Sequence, residues 1–421
     1  MRKLKNAILL AGGDSTRFWP LEEKNFFSFL GKPLILYQIE EISRFVEKIT
    51  IIASQTNVVF IKRLIENSHW NSICQVIIQK DLSGQAGALL SVKNLVKGES
   101  IVLNVNDVLD YSILDKLTSL PSLKNKIVLY GKKVNEYFPG GYFKFDSNGK
   151  IEEVVEKPDK DKTPSNIVKL VVDYYSNIDN LIKLLEAVKT KEDNHYELAI
   201  NNLLESGIDR EYVVYDGNWQ TLKYSWHVLP MMRLFFNKIK KHQISPKSVI
   251  SEKALIIGPV IIEDNVKVGD FAKIVGPAYI GENSVIGDYS LVRETQVGAD
   301  CLIGSYTEVA RSYIGNKVYL HRNYIGDSVL SDEVMMGAQA ATANFRFDGK
   351  TVRSVINHDK IDSNLHKFGA IVGKGSKIGV NSIILPGIKI GKNTLIAPHH
   401  SISEDVAENL FVRKGIFKNK T

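Results

Sequence analysis

The chain has 421 residues, 44% hydrophobic and 24% charged, with a formal net charge of +7. That balance is ordinary for a folded chain and excludes dominant disorder. No apolar run approaches the ~20 residues of a membrane span, and the two distant cysteines, Cys74 and Cys301, exclude a disulfide scaffold, a structural zinc site and thiol redox chemistry. Two or three domains fit the length, and a reducing, cytoplasmic setting fits the cysteine usage. The lysines are scattered among acids, apart from a small run at 238–241 and the tail, so no nucleic-acid partner is expected. A basic balance of this kind suits anionic small molecules.

Short apolar runs at 6–10, 48–53, 74–79 and 100–105 predict buried strands, the first of them in place of a signal peptide. Between them, 35–45 and 58–67 have the apolar spacing of helices. The alternation predicts an α/β domain with a mixed, mainly parallel sheet over residues 1–240. A hairpin is expected at 141–155, turning at Asp146-Ser147-Asn148-Gly149.

The pattern changes near Pro246. Aliphatic residues stand at Ile262, Val268, Ile274, Ile280, Ile286 and Val292, a period of six. The phase slips and resumes at Val297, Ile303 and Val309, slips again to Ile314, Leu320, Ile325 and Leu330, and returns at Val372, Ile378, Ile384, Ile390 and Ile396. Six fits neither a helix nor a simple strand. It predicts a solenoid of short strands over 246–420, each side turning one aliphatic residue inward. The repeat resembles the hexapeptide-repeat family of left-handed parallel β-helices, and that resemblance implies the left hand and a homotrimer. A polar, charged insertion between Gly337 and Phe368 interrupts the repeat, where a solenoid places function.

The first run ends in Leu10-Ala11-Gly12-Gly13, followed by Asp14-Ser15-Thr16-Arg17. Glycines after a buried strand let backbone N–H groups approach phosphates, and Arg17 adds a guanidinium fork. Gly31-Lys32-Pro33-Leu34 follows, with Lys24 between. Together these resemble the signature of sugar-1-phosphate nucleotidyltransferases, whose N-terminal domain is Rossmann-like. The likeness spans about 235 residues. It implies that Arg17 holds a triphosphate (UTP or dTTP) and that Lys24 contacts the reacting phosphates. It also implies that Leu10, Ala11, Gly12, Gly13, Gln79 and Gly84 bind the nucleotide. Gly141, Glu156 and Lys157 would bind a sugar 1-phosphate, and Asp107 would bind Mg²⁺. Two departures stand out. Ser15 replaces the third signature glycine, and Thr221 falls where a second metal-binding aspartate is expected, with His227 replacing a later one.

His321 follows a repeat position, with Tyr324 beyond it and Asn344, Lys350 and Arg353 in the insertion. The run Thr342-Ala343-Asn344-Phe345-Arg346-Phe347-Asp348 resembles the acetyltransferase half of archaeal-type bifunctional enzymes that make UDP-N-acetylglucosamine. That resemblance implies acetyl-CoA as co-substrate. His321 would then take a proton from an attacking amine, Tyr324 and Asn344 would orient the sugar or polarise the thioester, and Lys350 and Arg353 would bind phosphate. The alternatives are a nucleotidyltransferase whose solenoid only assembles and regulates, and a catalytically silent nucleotide-sugar-binding assembly protein.

Overall fold

A computed structural model describes residues 2–13, 15–80, 84–120, 122–192, 194–413 and 416–419. The chain divides into two compact units, Met1–Asp14 with Leu34–Trp219 and Ser15–Pro33 with Gln220–Thr421.

The first unit is built on a nine-stranded mixed sheet. Strands Leu4–Ala11, Val46–Ala53, Cys74–Ile78 and Ser100–Asn104 form its parallel part, with Leu4–Ala11 between Val46–Ala53 and Ser100–Asn104. Ala7, Ile8 and Leu9 of that strand are fully buried. A strand covered on both faces reads as an unbroken apolar run, which is why it is visible in the sequence. Helices Leu34–Ile42 and Val58–Glu66 fall where the spacing predicts them. In the other part Ile167–Tyr175 pairs antiparallel with Ser100–Asn104, Lys126–Lys133 and Gly141–Phe145, and Asp209–Val214 pairs parallel with Lys126–Lys133. The expected hairpin is present, Gly141–Phe145 pairing with Ile151–Glu156. At its turn Asp146 Oδ1 accepts the N–H groups of Asn148 and Lys150, and Gly149 takes a φ of 75°.

In the second unit, short strands from Gln243 onward wind into three sheets of eight, ten and eight strands, a left-handed parallel β-helix. Each sheet stacks one inward residue per coil. In the ten-stranded sheet the stack runs Val268, Ile286, Ile303, Leu320, Met336, Ile378 and Ile396. None of these is more than 4% exposed. Met336 pairs directly with Ile378, so the coils continue uninterrupted across the insertion. The slips in the sequence phase are coils shortened at a corner, as the steps Val268 to Ile286, Ile286 to Ile303 and Leu320 to Met336 show.

Corners need left-handed backbone, and side chains compensate for the strain. Asn265, Asn283 and Asp300 have φ of 59°, 58° and 56° and are linked side chain to side chain at 3.1 and 3.2 Å. Phe271, Tyr289 and Tyr306, also left-handed, stack their rings at 5.0 and 5.1 Å. Inside, Cys301 donates to the Gly315 carbonyl at 3.0 Å, and burial pushes its thiol up to about 12. It is a packing residue and unreactive as a nucleophile.

Truncating a stack member leaves a cavity that the coils above and below cannot close. Ile303→Ala is expected to cost about 2–5 kcal/mol. Val380→Ala, at a position 40% exposed, should stay within about 0.5 kcal/mol. Urea unfolding midpoints of the two variants check this contrast.

Candidate active sites

The first unit gathers the expected nucleotide residues at the end of its central strand. Leu10 and Ala11 are buried, and the Ala11 carbonyl accepts a hydrogen bond from the Asn57 side chain at 2.8 Å. A Cβ on Gly12 would lie 2.3 Å from Gln79 Oε1, so any larger residue there would push the Gln79 side chain from its place. Gln79 Nε2 in turn donates to the Gly84 carbonyl at 3.2 Å, and Gly84 has a φ of 76°. Gly12, Gln79 and Gly84 therefore form one cluster. Gly87 and Ala88 are buried within the following helix, Gly84–Leu90. Asp14, in the signature run, lies outside the described residues.

Asp107 stands just after strand Ser100–Asn104, at 8% exposure, with Asn104 Nδ2 donating to its Oδ2 at 3.2 Å. The turn that carries it is fixed from below by a residue the sequence did not flag. Gln38 Nε2 donates to the carbonyls of Val105 and Asp107 at 2.8 and 2.7 Å, and Tyr111 donates to Gln38 Oε1 at 2.8 Å. A glutamine on an apolar helix face is the signal that could have found it. Among the described residues no group of three or more His, Cys, Asp or Glu side chains is arranged to hold a metal. A single hard carboxylate fits Mg²⁺, which is commonly held by one or two carboxylates, substrate phosphates and water.

The expected sugar residues also converge. A Cβ on Gly141 would lie 3.2 Å from Glu156 Oε2, and Lys157 Nζ is 3.1 Å from Glu156 Oε1. Behind them is a buried charge cluster that pattern reading missed. Lys169 Nζ contacts Asp173 Oδ2 at 2.6 Å with both side chains at 2% exposure or less, and Tyr196 donates to the same oxygen at 2.7 Å. Burial raises the Asp173 carboxyl above its ordinary range, opposed by Lys169 and Tyr196. Glu197 is raised to about 7, first by burial and then by the charge of Glu156. Lys169 and Asp173 stand four residues apart on strand Ile167–Tyr175, a spacing that allows a shared face, but the spacing does not show that the face is buried or that Tyr196 closes it.

Arg17 and Lys24 belong to the second unit. Arg17 is exposed on the short 3₁₀ turn Thr16–Phe18, and Lys24 begins the turn Lys24–Phe26. Ser15, in place of the third glycine, adopts the left-handed conformation itself, with a φ of 50°. Its hydroxyl donates to Glu23 Oε1 at 3.1 Å, so the loop keeps a glycine-like backbone at the cost of local strain. Thr221 is buried at 8% exposure, and its carbonyl receives His227 Nδ1 at 2.8 Å.

In the solenoid, His321 is exposed at a corner and its N–H is taken by Asn323 Oδ1. Tyr324 begins the next strand, Tyr324–Gly326. Asn344 Nδ2 reaches the Tyr324 hydroxyl at 3.3 Å and Asp327 Oδ2 at 2.6 Å. Asp327, 1% exposed, is held by Arg311 through two bonds of 2.7 and 2.6 Å. Tyr324 and Asn344 are thus brought together on an ion pair that the sequence reading did not single out. Lys350 and Arg353 are exposed in the insertion, Arg353 at the start of hairpin strand Arg353–Ile356. The structure shows no contact of either with Tyr324 or Asn344.

A glycine-edged α/β sheet and a six-residue solenoid define a two-part transferase. Residues 6–222 match the nucleotidyl transferase family, and residues 259–294 match the bacterial transferase hexapeptide (six repeats) family. The chain belongs to the nucleotidyl transferase family and is an enzyme. It is 29% identical over 419 residues to "Bifunctional protein GlmU" of Methanococcus vannielii and 31% identical over 416 residues to that of Methanococcus maripaludis, each match covering 97% of both chains. It is 30% identical over 395 residues to "Bifunctional sugar-1-phosphate nucleotidylyltransferase/acetyltransferase" of Sulfurisphaera tokodaii, covering 90% of this chain and 92% of that one. No described helix is long and apolar enough to cross a membrane.

His227 gives a pH prediction. Its ring packs edge-on against Tyr224 and Trp226, and its pKa is lowered to about 4, chiefly by burial and further by Lys223, against the Thr221 carbonyl. An unfolded histidine titrates near 6.5. Between about pH 6.5 and 4 the unfolded chain binds a proton that the folded chain refuses, so stability falls on acidification across that window. His227→Gln is expected to flatten this slope, read by urea unfolding at a series of pH values.

Proposed function

We propose that the chain is a bifunctional enzyme that joins a sugar 1-phosphate to a uridylyl or thymidylyl group and acetylates an amino-sugar 1-phosphate, leading to UDP-N-acetylglucosamine or a related sugar nucleotide. The observation that supports the first activity is the glycine-edged end of strand Leu4–Ala11, where Gly12 lies against the Gln79 side chain and Gln79 Nε2 bonds the Gly84 carbonyl, so that main-chain groups border the strand end. The sugar phosphate attacks the α-phosphate and pyrophosphate leaves. All partners are anionic, so the work is positioning and charge neutralisation. Gly12, Gly13, Gln79 and Gly84 take the nucleotide; Gly141, Glu156 and Lys157 take the sugar; Arg17 and Lys24 supply cationic charge to the phosphates. Asp107 would hold Mg²⁺, which neutralises phosphate charge when bound.

The second activity is supported by the Tyr324–Asn344–Asp327–Arg311 cluster beside the His321 corner. His321 accepts the proton of the attacking amine, Tyr324 and Asn344 orient the reacting groups, and Lys350 and Arg353 meet the phosphate. Acetyl-CoA is the acetyl donor, and three copies of the chain assemble through the solenoid. A second reading, nucleotide-sugar binding without turnover, is favoured by one observation: position 221 offers a buried threonine in place of a carboxylate.

Purified protein is incubated with Mg²⁺, UTP or dTTP, glucosamine 1-phosphate or its N-acetyl form, and acetyl-CoA, with pyrophosphate and free CoA followed together. Release of both products is expected. Pyrophosphate without CoA reduces the solenoid to an assembly role, and release of neither leaves the silent binding protein.

A further inference from the structure

The outward-facing positions of a solenoid sheet are normally wet. In the eight-stranded sheet that contains Gln296–Val297, Tyr313–Ile314 and Lys389–Ile390, the inward residues Val297, Ile314 and Ile390 are fully buried, as alternation requires. The outward residues Gln296, Tyr313 and Lys389 are buried too, at 2%, 5% and 2% exposure. Lying on Gln296 and Tyr313 is Ser15–Pro33, the stretch that belongs to the solenoid unit and carries Arg17 and Lys24, while Lys389 is shared between Trp19 of that stretch, Asp405 and the Val355 carbonyl.

The seating is specific. Gln296 Nε2 donates to the Ser28 carbonyl and Gln296 Oε1 accepts the Leu30 N–H, both at 2.9 Å. The Tyr313 hydroxyl donates to the same Ser28 carbonyl at 2.9 Å, and its ring lies 4.5 Å from that of Phe27. Phe29 stacks on Phe235 at 4.9 Å. Further along, the Lys389 ammonium sits 5.2 Å from the centre of the Trp19 ring, and Ser225 Oγ donates to the Trp19 carbonyl at 3.2 Å. The stretch is thus fastened on both sides of Lys24, at Trp19 and at 27–30. A side chain amide that both donates to and accepts from the three-residue length Ser28–Leu30 of main chain fixes register as well as contact. Any slip of the stretch leaves a buried amide unpaired.

We infer that Gln296 and Tyr313 are positioning residues for nucleotidyl transfer: the solenoid is the bed on which Lys24 and Arg17 are set. The inference rests on the roles proposed above for those two cations. Lys24 acts at the reacting phosphates, and a displacement of about 1 Å in such a group costs on the order of a hundredfold in rate. The solenoid then contributes to the chemistry of the family's catalytic stretch without touching substrate.

The test compares the full-length wild type with Gln296→Ala, Gln296→Glu and the Gln296→Ala/Tyr313→Phe pair, measuring kcat and KM for pyrophosphate release, free-CoA release, thermal midpoint, and amide hydrogen exchange of residues 24–31. Gln296→Ala is expected to lower kcat for pyrophosphate release at least about tenfold, to change the triphosphate KM by less than about threefold, and to leave free-CoA release and the midpoint near wild type. The Leu30 amide should exchange faster. Gln296→Glu keeps the acceptor for Leu30 and should fall between, and the paired variant should lose more than either change alone. Wild-type kcat in the paired variant overturns the inference, and so does a parallel loss of both products with a lowered midpoint, which would mark a purely structural role. If the wild type itself releases no pyrophosphate, the functional reading has failed separately; exchange at Leu30 then decides the seating, and an amide unaffected by Gln296→Ala overturns it.

Discussion

An aliphatic side chain at every sixth position, turned inward and stacked on its neighbours, is the constraint from which the second unit follows. Once Val268, Ile286, Ile303 and Leu320 are stacked, the hydrogen bonds between coils, the left-handed corners and the outward rows are all determined. A coil buries only one residue per side, so stability comes from repetition, and the ends and insertions are left for other work. The insertion leaves the stack between Met336 and Ile378 and returns without disturbing it. One outward row, on the sheet that holds Gln296 and Tyr313, is spent on holding the 15–33 stretch.

The first unit solves a different problem. On the function proposed above, it brings polyanions against a buried parallel sheet, with backbone at Gly12 and few exposed charges. Its carboxylates are managed individually. Asp107 is positioned by Asn104 and by the turn that Gln38 fixes. Asp173 is sunk in the protein and balanced by Lys169, and breaking that pair by removing the lysine would strand a charge where its desolvation is severe. Glu197 resists ionisation chiefly because it is buried, and further because of the charge of Glu156. Lys169 lies against Gly141, and Glu197 feels the charge of Glu156, so the wall proposed to hold the sugar is backed by residues with no recognisable motif.

Much of this was legible in the sequence. The solenoid phase, the four parallel strands and the hairpin turning at Asp146–Gly149 needed only periodicity and turn chemistry. Gly12, Gln79 and Gly84 were expected to act together and do meet. Other features were hidden for physical reasons. Lys169 and Asp173 have the spacing of one strand face, but nothing in the spacing shows that the face is buried or that Tyr196 joins the pair. Gln38 and Arg311 look like isolated polar residues until the fold gives them a partner. The role of Gln296 depends on which element covers an outward position, and repeat spacing is silent about that. Ser15 was visible as a departure, and the fold accommodates it by accepting a left-handed serine.

The central claim is that two chemistries are carried by separate sets of residues on one chain. The direct measurement is a paired one, pyrophosphate and free-CoA release from Lys24→Ala and His321→Ala proteins under the same conditions. The account predicts that Lys24→Ala loses pyrophosphate release and keeps CoA release, and that His321→Ala does the reverse. Loss of both products in either variant, or of neither in both, would contradict it.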